Sequence, residues 1–269
     1  MLRWCQIVGR VPHECCAQGS WGSRVVAKWL GSAVGKAPAH VVVDVETDGI
    51  NSPKAVCAVT ISCDGAGTET RQWHSGCPDP MSPETAANLT SYLFGLLDTH
   101  TVVSFNSAFA LNAVYNVLNP KSPDAAKVKL LCLTSRDIFF CFAANHGYFA
   151  ALNSFLGNVP ELERSTIAPA DIPELWARKD ADGRELVLAR CENDAELIRQ
   201  LYLRACNTGS LSRVTSRGED TTWQCAIDDD GAVIRPLWKS LEQYTRQPPP
   251  FAGVDLTSKL HWTGKFDWS

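Results

Sequence analysis

The chain has 269 residues and a net charge of −4, with 45% hydrophobic residues. It is long enough to bury a sizeable core, as one large domain or one domain with appendages. Its charge gives no bulk attraction to nucleic acid, so such a contact must use a local patch. No run of about 18 apolar residues is present, which excludes a membrane-spanning helix and predicts no membrane partner. The eleven cysteines form no Cys-x-x-Cys pair and no zinc-type spacing. Cys57, Cys63, Cys132 and Cys141 lie in apolar runs, where free thiols pack as small hydrophobes. This usage fits a reducing, intracellular compartment.

Residues 1–39 carry Arg3, Arg10, Arg24, Lys28 and Lys36 against a single acid, Glu14. A basic, acid-poor start of this kind reads either as an N-terminal arm or as a transit-like segment, the latter pointing to mitochondria. Next comes Val41-Val42-Val43-Asp44-Val45-Glu46-Thr47-Asp48-Gly49. A β-branched run predicts a strand, and its two-residue period places Asp44 and Glu46 on one face at its end. Two adjacent carboxylates repel unless a cation lies between them, and hard oxygen ligands suit Mg²⁺ or Mn²⁺.

A second strand is expected over 55–63 from its alternation, and a third over 69–74 after a Gly-Ala-Gly turn. Ser82-Pro83-Glu84 is a helix start, followed by Ala86, Leu89, Leu93 and Leu96 at helical spacing. A short strand at 101–105 and a helix at 108–118 come next. The order predicts an α/β domain. Its sheet is mixed, with three antiparallel strands continued by parallel ones and Asp44 on the central strand. Residues 128–158 read as a buried segment, a turn and a short helix, and 160–173 as a loop.

A long helix is expected over 184–205, with Val187, Cys191, Ile198, Leu201 and Ala205 as its apolar stripe. Asp194 falls inside that stripe, where a carboxylate is costly unless paired or metal-bound. Arg190, one turn earlier, offers a pairing partner. A hairpin follows around Arg217-Gly218-Glu219-Asp220. Residues 228–269 read as a C-terminal tail, carrying Trp262 and Trp268, that docks on the domain or on a protein partner.

Over about residues 40–225 the chain resembles the DEDD-type 3′–5′ exonucleases of the ribonuclease H-like superfamily, closest to the proofreading-polymerase-like, tyrosine-variant branch. The resemblance rests on Val43-Asp44-Val45-Glu46-Thr47, on Ser104-Phe105-Asn106-Ser107-Ala108-Phe109-Ala110, and on Arg190-Cys191-Glu192-Asn193-Asp194, in that order. It implies a ribonuclease H-like mixed five-stranded sheet flanked by helices over 40–227, with a C-terminal hairpin and tail. It implies Asp44, Glu46 and Asp194 as catalytic metal ligands, with Thr47, Asn106 and Phe109 near a single-stranded DNA or RNA substrate. It also exposes two departures. Ala110 stands where the family carries Asp, and Arg190 where it carries Tyr, so one Mg²⁺ or Mn²⁺ site is expected and the second is impaired. Two functions therefore follow from the resemblance: metal-dependent phosphodiester hydrolysis, or an inactive exonuclease fold with a nucleic-acid-binding or structural role.

Overall fold

The computed structural model describes residues 38–76, 78–162, 165–178, 180–225, 233–246, 255–256 and 258–263. Most of the basic start of the chain, and Trp268, lie outside the described residues. The architecture is α/β. A five-stranded mixed sheet has the order β3-β2-β1-β4-β5, built from β1 (His40–Thr47), β2 (Ala55–Cys63), β3 (Thr68–His74), β4 (Thr101–Ser104) and β5 (Arg136–Asp137). β1, β2 and β3 pair antiparallel. β4 pairs parallel to β1, and β5 parallel to β4. The expected mixed sheet with Asp44 on its central strand is thus present. β1 reads as a near-continuous apolar run because both of its faces are covered.

Those two faces sort the helices. Val41, Val43 and Val45 pack in one layer with α1 (Pro83–Leu96), α2 (Ser107–Tyr115) and α3 (Pro123–Thr134). Val42, and by parity Asp44 and Glu46, face the other layer, which holds Val187, Cys191, Ile198 and Leu201 of α6 (Ala181–Thr208). α1 begins as expected, with Pro83 in its first turn and the Ser82 hydroxyl accepting from the Thr85 N–H at 3.1 Å.

Two helices differ from the sequence reading. The segment around 128–133 is the end of α3, and its start carries the same signature as α1: Ser122 caps Ala125 at 3.2 Å ahead of Pro123 and Asp124. The stretch at 160–173 is not all loop, because a 3-10 turn at Pro169–Asp171 leads into α5 (Ile172–Ala177). The expected hairpin is β6 (Ser210–Val214) with β7 (Asp220–Gln224). In the C-terminal region, α7 (Leu237–Arg246) and a 3-10 turn at Ser258–Thr263 bury Leu237, Leu241, Leu256 and Leu260 in the α1–α3 layer. Among the described residues, no helix is long and apolar enough to cross a membrane. The described cysteines, Cys57, Cys63, Cys132, Cys141, Cys191, Cys206 and Cys225, are free thiols.

One buried carboxylate ties the parallel half of the sheet to its helices. Asp137 is 0% exposed. It accepts from the N–H groups of Asn106 (3.3 Å) and Ser107 (2.6 Å), from the Ser107 hydroxyl (2.5 Å) and from the Phe140 N–H (2.9 Å). It therefore caps the starts of α2 and α4 (Ile138–His146) together. Asn106 is held at a left-handed φ of 65° by this arrangement. Asp137→Ala should destabilise the fold by about 2–4 kcal/mol, two lost caps at about 1–2 each. Asp137→Asn, which keeps one acceptor, should cost roughly half as much. Urea unfolding measures both, and near-parental stability of the alanine variant would refute the shared-cap account.

Candidate functional site

The site forms where the end of β1 meets the middle of α6. Asp44 and Glu46 project from one face of β1. Asp194 reaches them from α6, whose length and start are well specified. Asp180 caps that helix, its carboxylate accepting from the Gly183 N–H at 2.5 Å, and Gly209 ends it in the left-handed conformation at φ 68°. Gly183 is required by packing, because a Cβ there would lie 2.5 Å from the Leu175 carbonyl oxygen of α5. The Cys191 thiol donates to the Asp44 carbonyl at 3.5 Å, one of the contacts that fix α6 along β1.

Carboxylate oxygens of Asp44, Glu46 and Asp194 lie within 4.8 Å of one another. The expected convergence of these three acids is therefore found. So is the expected ion pair, which proves more extensive than the i, i+4 spacing alone requires. Arg190 donates through Nε to Glu46 Oε1 at 2.8 Å, and its Nη2 lies 3.0 Å from Asp194 Oδ2. Its Nη1 donates to the Ile167 carbonyl at 2.6 Å. The side chains of Arg190, Glu46 and Asp194 are only 8–10% exposed, so water screens these pairs little.

One guanidinium cannot balance three carboxylates in so dry a place. Burial, then Glu46, then Asp194 push Asp44 well above the usual carboxylate range. Burial raises Glu46 to about 7, against the opposing pull of Arg190. Burial also raises Asp194, again opposed by Arg190. Among the described residues Asp44 has no ion pair with Arg190, so burial and its two acidic neighbours press it most strongly toward the neutral form.

The other residues implied by the exonuclease resemblance lie in different parts of the fold. Thr47 is buried, and its hydroxyl donates to the Gly49 carbonyl at 2.8 Å, bracing the turn after β1. Asn106 and Phe109 are half-buried at the start of α2. Ala110 is 4% exposed and packs in the layer of Val43 and Val45, on the α2 side of the sheet. The sequence reading missed Ile167, the third partner of Arg190. A backbone carbonyl leaves no mark in the identity of its residue.

Three close carboxylates suit a hard divalent cation. Here Glu46 and Asp194 are already ion-paired with Arg190, and burial and acidic neighbours press Asp44 toward its neutral form. As arranged, the donor set is balanced by a guanidinium and does not fit a pair of metal ions. No family model matches the sequence, and no curated protein matches it.

Removing the guanidinium should expose that balance. Arg190→Ala is expected to lose about 3–5 kcal/mol, the cost of breaking one side of a buried pair. The variant should also gain a Mg²⁺-dependent rise in melting temperature that the parent lacks. Thermal unfolding with and without Mg²⁺ tests this; identical melting of variant and parent in both conditions would contradict it.

Stability should also depend on pH with a definite sign. Glu46 titrates near 4.5 when unfolded and near 7 when folded. Within that window the folded chain holds protons that the unfolded chain has released, so stability falls as pH rises. The melting temperature should decline between about pH 4.5 and about pH 7, and decline less in Glu46→Gln. A rise over the same window would contradict the assignment.

Proposed function

We propose that the chain is a ribonuclease H-like, DEDD-type exonuclease fold in which Arg190 has taken the place of the metal centre, and that it holds single-stranded nucleic acid without hydrolysing it. One observation carries this reading: a single guanidinium bridges the buried Glu46 and Asp194 inside the three-acid cluster. The support for the exonuclease part is the ordered set of motifs. A strand-end Asp-x-Glu sits on the central strand of a mixed sheet, the Phe105–Ala110 stretch starts the helix after β4, and an acid on a long helix closes on the pair. Arginine suits the substitution because its planar fork pairs two carboxylates at once and stays charged at every physiological pH.

In this reading the chain's own residues hold charge rather than activate water. Arg190 and its two carboxylates lock α6 to β1. The resemblance gives Thr47, Asn106 and Phe109 as the groups that meet a strand end. A one-ion 3′–5′ exonuclease using Mg²⁺ or Mn²⁺ is the second reading, favoured by the 4.8 Å spacing of the three carboxylates.

A degradation assay separates the two. The parent chain should leave a 3′-labelled single strand intact in Mg²⁺ and in Mn²⁺. Ala110→Asp combined with Arg190→Tyr, which returns the missing carboxylate and hydroxyl, should create metal-dependent shortening from the 3′ end. Shortening by the parent would establish the hydrolase reading instead. A double variant that neither binds Mn²⁺ nor cuts would remove the support for the exonuclease reading.

A further inference from the structure

A ribbon of half-buried rings and lysines runs along the layer opposite α6 and ends at Phe105, which packs in the α6 layer. Lys129 of α3 lies over the Tyr115 ring, its Nζ 5.0 Å from the centroid. Tyr115 is tilted against Trp262 with centroids 5.3 Å apart. Trp262 is fixed in place, its indole N–H donating to the Ala108 carbonyl of α2 at 3.1 Å. In the 3-10 turn at Ser258–Thr263, positions three apart share a side, so Lys259 projects beside Trp262. Lys259 in turn lies over Phe149 at 5.7 Å. Phe149 stacks on Phe139 at 4.4 Å with the planes 10° apart, and Phe139 meets Phe105 edge-on at 5.5 Å.

The ribbon leads to the candidate site. β4 runs parallel to β1 with Val42 level with Val103. Phe105 is two residues beyond Val103, as Asp44 is two residues beyond Val42, so both stand at the same end of the sheet. The rings of this ribbon and Lys129 are half-buried, and Lys259 is exposed. Among the described residues, neither lysine is paired with a carboxylate. Their charge is met by ring faces instead, an attraction that is modest at an exposed site.

We propose that this ribbon, from Lys129 through Trp262 to Phe105, is a track for single-stranded nucleic acid, delivering one end to the rim beside Asn106. The proposal rests on the exonuclease-fold reading above and names the surface that reading lacks in an acidic chain. Phosphates match the lysines in charge. Bases match the rings, because every base has a face to stack and stacking on aromatics is stronger than an exposed lysine–ring contact. A strand would therefore displace the lysines from the rings and pair them with its backbone. A duplex, whose bases are already stacked, has no use for the rings.

The test is fluorescence anisotropy of the full chain with short labelled oligothymidine, oligouridine and a DNA duplex across a salt series. The track predicts single-strand binding stronger than duplex binding. The pair Lys129→Gln and Lys259→Gln should weaken it more than tenfold and lower the salt slope by about 1.4, two contacts at about 0.7 each. Lys121→Gln, exposed and off the ribbon, should change neither. An unchanged melting temperature shows that the variants are folded. Equal affinity and slope in the double variant, or preference for duplex, overturns the track while leaving the exonuclease-fold reading intact. Failure of the parent to bind either single strand overturns both.

Discussion

A single buried cation sets the terms for this molecule. Arg190 sits among Asp44, Glu46 and Asp194, and every other feature of the site adjusts to it. Without a positive charge there, two strand-end acids and a helix acid could not share one dry space. With it, Glu46 and Asp194 become anchors that hold α6 against the central strand, and Asp44 is the acid left without an ion pair among the described residues. The same guanidinium saturates the Ile167 carbonyl, so the loop before α5 is drawn into the site. This is the logic of a metal centre carried out by a side chain: one cation organises ligands from a strand, a helix and a loop. It differs from a metal in that it offers no open position at which water or a phosphate oxygen could be polarised.

A second carboxylate does comparable work at the neighbouring strand. Asp137 lies on β5, faces no solvent and spends its oxygens on the starts of α2 and α4. It thereby fixes Asn106 in a left-handed conformation and sets where α2, with Phe109 and Ala110, leaves the sheet. Burial tends to raise its pKa and the surrounding donors oppose that. The rim of the candidate site thus depends on two buried acids handled in opposite ways, one group ion-paired and the other surrounded by N–H and O–H donors.

Much of this was legible in the sequence, for identifiable reasons. Alternation and β-branching marked β1 and β2, and the Asp-x-Glu spacing put both acids on one face. An acid inside the apolar stripe of a long helix required a partner, and Arg190 one turn away supplied it. What the sequence hid was of three kinds. The start of α3 repeats the Ser-Pro-acid signature of α1, but its apolar residues resemble a buried strand as closely as a helix, so the cap was overlooked. Ile167 acts through a backbone carbonyl. The place of Ala110 in the layer of Val43 and Val45 depends on which side of the sheet α2 packs, which no local pattern states. The likeness to nucleases rests on motif order alone, to which the structure adds a compatible mixed sheet.

The central claim is that the cationic place is already taken. The most direct measurement is a crystal structure grown in Mn²⁺, with anomalous differences collected at the manganese edge. The account predicts no peak bridging Asp44, Glu46 and Asp194, with Arg190 Nε still on Glu46. A manganese peak among those carboxylates, with the guanidinium swung out, would contradict it.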